Sequence, residues 1–386
     1  MKTFSSYTLK DFIVNNLQKN NLVSPTPIQE TTLIDTLEGK DLIGKAKTGT
    51  GKTLAYLLPM IQKIDTSSKD IQTLVLAPTK ELSIQIKNEA QKIIEGTSIR
   101  IEAIVEGMKI EKQLDQMKNK PHMIIATPGR FVHLMSIKKI KLHEVKIIAL
   151  DEVDEILKAG LLDKVQFIMN NTLKDRQILS FSATISKEAK DLLTNKMKNP
   201  IIAYLDQDKP IPSTIYHQYM VTKASKKTDA LEEILKSIKP SKSLVFINKN
   251  ENVDRFVKEL KSLGFLVGGI QTRTKNQDRQ NTLTQFNKGK IKILVTTDLF
   301  TRGMDFQKVS HVFNMDLPFN ETDYLHRAGR TGRIGQEGTV INIVRDREKF
   351  ILYKMMKKLN IKVDHIDVMN GKIVLIKDFI QRKNNR

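Results

Sequence analysis

The sequence predicts an α/β chain of two doubly wound parallel-sheet lobes joined by a flexible linker. Three observations predict it. Short apolar runs alternate with longer helix-like segments in both halves. A polar, proline-containing stretch separates the halves. The 386 residues are 40% hydrophobic and 28% charged, enough for two cores and too apolar for wholesale disorder.

In the first half the apolar runs are Thr73–Ala77, Met123–Ala126, Ile147–Leu150 and Ile178–Phe181. In the second they are Leu244–Ile247, Ile291–Val295, Val312–Met315 and Val340–Val344. Runs this short, flanked by polar or turn residues, read as buried strands. The segments between them supply the crossover helices of parallel βαβ units. The first lobe is expected at 1–204, a linker at 205–216, a second lobe at 217–370 and a basic tail at 371–386. Pro210 and Pro212 keep the linker out of a helix.

Composition narrows the function class. There is no cysteine, so disulfide frameworks and cysteine-ligated metal clusters are excluded. No apolar run reaches the ~18 residues of a membrane span, and the first 18 residues lack the unbroken apolar core of a signal peptide. The expected setting is soluble and cytoplasmic. Lys and Arg number 64 against 43 Asp and Glu, a net charge of +21. Such an excess suits a polyanionic partner, and equally a solvated lysine-rich surface. Residues 1–200 carry +7 and residues 201–386 carry +14.

The strongest local motif is Ala46-Lys-Thr-Gly-Thr-Gly-Lys52-Thr53, between the apolar pair Leu42-Ile43 and the helix-like Leu54–Leu58. Gly49 and Gly51 let backbone N–H groups close on phosphate oxygens. Thr48 and Thr50 lie in the same loop. Lys52 supplies a point charge to the β and γ phosphates, and the Thr53 hydroxyl can hold Mg²⁺. Ala46 stands where the strict phosphate-loop pattern has glycine. Asp151-Glu152-Val153-Asp154 follows an apolar run, at a strand's C-terminal end, where α/β sheets gather ligands. Asp151 can hold Mg²⁺ through its water shell and Glu152 can orient an attacking water. Alone, three acids in four residues read as a solvated loop; paired with a phosphate loop, the functional reading wins. His326-Arg327-Ala-Gly-Arg330-Thr-Gly-Arg333 clusters guanidinium groups, suited to a γ-phosphate or to a nucleic-acid backbone.

The ordered set, from Phe4 to about Val344, resembles the DEAD-box RNA helicases of helicase superfamily 2, with Asp-Glu-Val-Asp in place of Asp-Glu-Ala-Asp. The resemblance implies two RecA-like lobes and an RNA-stimulated ATPase that pries RNA duplexes apart locally. ATP and Mg²⁺ are the implied cofactors. RNA, held by its backbone, is the implied partner, with proteins of ribonucleoprotein or RNA-decay complexes beside it. Phe4 would stack on adenine, Gln29 read its edge, and Asp305 approach the ribose. Pro78, Thr79, Lys80, Gly107, Thr127, Gly129 and Arg130 would contact RNA from the first lobe. Arg279 and Thr297 would do so from the second. Ser182 and Thr184 would bridge toward Asp154. Arg330 and Arg333 would take arginine-finger roles, while His326 and Arg327 would link the lobes to the metal-site acids.

Departures from the family pattern are Val153, Lys80 for Arg, Glu106 before Gly107, and Asn276 for Gln. A lysine cannot make the bidentate fork of an arginine. These changes leave a second class open, an ATP-gated RNA clamp that seldom unwinds. A DNA translocase is disfavoured by Gln29 and by Thr127–Arg130. A metabolic kinase would leave the second lobe's motifs without work. The identity of the RNA, the pathway and the oligomeric state are not legible.

Overall fold

Seven short strands build the first sheet: β1 Leu42–Lys45, β2 Thr73–Leu76, β3 Ile101–Ile104, β4 Met123–Ala126, β5 Ile147–Asp151, β6 Gln177–Ser182 and β7 Ile201–Tyr204. Their order is β3-β4-β2-β5-β6-β1-β7, and every pairing is parallel. Both faces of the central strands β2, β4 and β5 are buried, so these strands read as near-continuous apolar runs instead of alternating. Leu74 and Leu76 pack into the cluster on one face, Val75 into the cluster on the other.

The computed structural model describes residues 2–46, 50–204, 214–271, 274, 276–298, 306, 308–332 and 336–376. Packing divides the chain into two units, Met1–Asp206 and Gln207–Arg386. Among the described residues no helix is long and apolar enough to cross a membrane.

The second unit's strands are β8 Ile215–Val221, β9 Ser243–Phe246, β10 Val267–Ile270, β11 Ile293–Thr296, β12 His311–Asn314, β13 Gly338–Val344, β14 Asp364–Met369 and β15 Lys372–Leu375. They run in the order β10-β11-β9-β12-β13-β8-β14-β15. All pairings are parallel except β14 with β15.

The expected boundaries need two corrections. Ile215 and Tyr216, inside the expected linker, begin β8 and pair with Gly338 and Thr339. Residues 205–213 of that linker lie outside the described residues. The lobe does not end at residue 370, because β15 falls inside the expected tail. Asn370 and Gly371 have φ of 51° and 72°, the left-handed pair that closes a two-residue hairpin turn. That hairpin adds one antiparallel pair at the end of an otherwise parallel sheet. Residues 377–386 lie outside the described residues. Strand β10, Val267-Gly-Gly-Ile270, was not anticipated. Its glycines hide the apolar pattern because helices press on them: an added Cβ would meet Val257 Cγ2 at 2.7 Å from Gly269 and Thr282 Cγ2 at 3.0 Å from Gly268.

The buried His217 and the half-buried His311 predict an acid-sensitive unit. Burial pushes both His217 and His311 down to about 4 from the ordinary 6.5. The unfolded chain takes up both protons near 6.5 and the folded chain resists until about 4. Their contribution is therefore complete above 6.5 and is lost as pH falls through 4. Denaturant melts across that window should show stability falling with acidification, with a shallower slope in His311→Asn.

Candidate active site

Parallel register brings the chemistry-bearing residues of the first unit to one sheet edge. Lys45 is level with Ser182, and Asp151 with Phe181. The loop after β1, Ser182 and the acidic quartet therefore emerge side by side at the C-terminal ends of β1, β6 and β5. Lys52 opens the helix Lys52–Gln62 behind Gly51, whose φ is 92°. A side chain at Gly51 would sit 2.4 Å from Gln29 Nε2 and 2.8 Å from Thr26 Oγ1, so glycine is required twice over. Thr50 and the half-buried Thr53 flank it; Thr48 and Gly49 lie outside the described residues.

Lys52 is 6% exposed, and its Nζ lies 3.6 Å from Glu152 Oε1. It makes no hydrogen bond among the described residues. A buried ammonium of this kind calls for an acceptor. Asp151 is buried and accepts from Tyr56 Oη at 2.8 Å. Burial, then the charge of Glu152, raises Asp151 to about 6, against the opposing pull of Lys52. Glu152 adopts φ 53°, a left-handed conformation that a non-glycine residue keeps only under constraint. Its N–H is tied to Phe181 O at 2.9 Å. Beyond it, the Ser182 and Thr184 hydroxyls both donate to the Asp154 carboxylate. Hydroxyl and carboxylate oxygens are the donors a hard divalent cation takes, and the Lys52 ammonium suits a phosphate. The residues present fit a nucleotide phosphate with magnesium.

Both residues expected at the adenine have partners within the first unit. Phe4 is 2% exposed and packed in the first unit's core, so its ring is a packing group here. Gln29 accepts from Thr26 N at 2.9 Å and donates to Gly51 O at 2.8 Å. It caps the helix Pro27–Leu37 and braces the phosphate loop.

The expected RNA-contacting residues share the other half of the same edge. Leu76, Ile104 and Ala126 end β2, β3 and β4 in register, so Pro78–Lys80, Gly107 and Thr127–Arg130 emerge together. Thr79 Oγ1 caps the helix Lys80–Ile93, accepting from Leu82 N at 3.2 Å. Arg130 Nη2 donates to Met108 O at 3.2 Å, holding the turn that Gly107 makes at φ 74°. A Cβ on Gly129 would strike Glu106 Oε1 at 2.4 Å. Val153 is fully buried in an apolar cluster, which accommodates its two methyls.

In the second unit Arg327 is buried and makes five hydrogen bonds. It donates to Asp298 Oδ1 at 2.6 Å and Oδ2 at 2.7 Å, and to Asn248 Oδ1 at 2.8 Å. It also donates to Asn314 Oδ1 at 3.0 Å and Asp316 O at 2.7 Å. The guanidinium lies 4.9 Å from the centre of the Phe246 ring. All five N–H donors are used inside this unit. This corrects the expectation that Arg327 reaches the metal-site acids: it pins the ends of β9, β11 and β12 instead. Arg330 Nε donates to the carbonyl of His326 at 3.2 Å. Thr297, after β11, is buried 3.4 Å from Asn250 Oδ1, and Arg279 lies in the helix Asn276–Asn287. Asp305 and Arg333 lie outside the described residues.

Sequence reading missed Tyr56 and the Asn248–Asp298–Asn314 cage. A phenol inside the apolar helix Leu54–Ile61 was the available signal for Tyr56, since a buried hydroxyl needs a partner.

A phosphate loop with acids at nearby strand ends, on a parallel α/β sheet followed by a second such unit, defines a phosphate-loop nucleoside triphosphatase of two RecA-like lobes. The DEAD/DEAH box helicase family model matches residues 26–192, and the helicase conserved C-terminal domain matches 226–335. The chain belongs to the DEAD-box helicase family. It is 35% identical to the DEAD-box ATP-dependent RNA helicase CshC of Bacillus cereus, over 97% of this chain and 96% of that one. It is 34% identical to the probable ATP-dependent RNA helicase YfmL of Bacillus subtilis, over 95% and 97%. Among solved structures, S. cerevisiae Dbp5 bound to RNA and ADP BeF3 superposes with a TM-score of 0.87 at 29% identity, covering 95% of each chain.

Two substitutions test this packing. Arg327→Gln leaves the Asp298 carboxylate without its cation, so the second unit should lose about 3–5 kcal/mol in denaturant melts. Val153→Ala removes two buried methyls worth about 1.6 kcal/mol, offset by about 0.5 kcal/mol of better helix propensity. The melting temperature of the first unit should fall by about 2–4 °C.

Proposed function

We propose that the protein is an ATP-dependent RNA helicase that couples RNA-stimulated ATP hydrolysis to local opening of short duplexes. The observation that carries this reading is the buried Lys52 ammonium beside Glu152 and Asp151 at the sheet's C-terminal edge. One cation beside two carboxylates leaves an excess of negative charge, which a divalent cation offsets.

In this proposal Lys52 neutralises the β and γ phosphates. Thr48, Gly49, Thr50 and Gly51 wrap them with backbone N–H groups. Thr53 and Asp151 would hold magnesium, which when bound neutralises phosphate charge. Glu152 orients the attacking water. Its constrained backbone and the tether to Phe181 O keep the carboxylate in place. Arg330 and Arg333 supply guanidinium charge to the γ-phosphate, and Asp305 meets the ribose. Phe4 and Gln29 bear on the base indirectly, by shaping the wall and bracing Gly51.

Ser182 and Thr184, held on Asp154, carry the state of the acids toward the RNA-facing edge, and His326 is the residue assigned to read it in the second lobe. Pro78, Thr79, Lys80, Gly107, Thr127, Gly129, Arg130, Arg279 and Thr297 grip the RNA backbone, so sequence preference is weak and binding is salt-sensitive. The lobes are assigned to 1–204 and, with the corrected ends, 215–376. The proposed compartment is the cytoplasm. Proteins of ribonucleoprotein or RNA-decay complexes are the proposed further partners.

ATP turnover with and without single-stranded RNA tests the reading. RNA should raise turnover, and Lys52→Ala should cut the stimulated rate about 10²-fold or more. Turnover that ignores RNA, or a Lys52→Ala enzyme as active as the parent, overturns it. Robust stimulation without strand displacement on a short tailed duplex points instead to the clamp.

A further inference from the structure

We propose that Tyr56 is a positioning residue that orients the magnesium-holding side chain of Asp151. The inference rests on the nucleotide reading above. Tyr56 lies one turn after Lys52 in the helix Lys52–Gln62 and is fully buried. Its ring packs against Phe181 with centroids 5.8 Å apart. Its Oη donates to Asp151 Oδ2 at 2.8 Å.

Proton counting fixes the direction of this bond. A phenol carries one proton, and an ionised carboxylate only accepts, so Tyr56 donates to Asp151. That donation holds Asp151 Oδ2 and leaves the other carboxylate oxygen to face a cation. The phenol thus sets the orientation of the Asp151 carboxylate, as partners behind a metal site do. Packing alone does not explain it: phenylalanine fills the same space with no hydroxyl to satisfy.

The test uses the full chain, a fluorescent non-hydrolysable ATP analogue and a magnesium chloride titration. The parent should bind the analogue with a clear dependence on magnesium. Tyr56→Phe should need about 10-fold more magnesium for half-maximal binding, with analogue binding in EDTA unchanged. A Tyr56→Phe protein with a lower melting temperature but the parental magnesium midpoint overturns the inference, because packing alone would do that. Asp151→Asn with Tyr56→Phe should shift the midpoint no further than Asp151→Asn alone; additive shifts would break the proposed tie. If the parent shows no magnesium dependence, the nucleotide reading itself fails, an outcome distinct from a parental midpoint in the variant.

Discussion

One buried ammonium organises the first lobe's edge. Lys52 lies 3.6 Å from Glu152, and at an effective dielectric constant of about 20 their attraction is about 4–5 kcal/mol. Removing each ion from water costs several kcal/mol, so the pair alone roughly cancels. Lys52 therefore stays strained for an acceptor. The surroundings hold it there: Gly51 tolerates no side chain, Gln29 clamps the Gly51 carbonyl, and the helix behind is packed on every face. The fold supplies the rigidity that keeps such a charge from relaxing into a better partner.

The second lobe treats a buried cation in the opposite way. Arg327 has every donor satisfied by three strand ends, including a fork on Asp298. A fully satisfied guanidinium is structural glue, and an unsatisfied ammonium is a recognition device. Residue type follows role. The planar five-donor fork suits a cage of fixed acceptors, and the compact ammonium suits a phosphate.

Much of this was legible in the sequence, because both-face burial leaves apolar runs such as Met123–Ala126 that match their strand. The two-lobe fold followed from those runs. What failed did so for particular reasons. Gly268 and Gly269 erase the signal of β10, since close helices leave no room for side chains. The hairpin of β14 and β15 was announced by Asn370-Gly371 but lay beyond the last family motif. At the site, sequence order located the residues but could not say what each touches. Arg327 sits in a motif rich in arginines, and only the strand ends around it reveal that its donors are consumed locally. Gln29 likewise carries a capping signature, Thr26 with Gln29, that competes with any contact to a base.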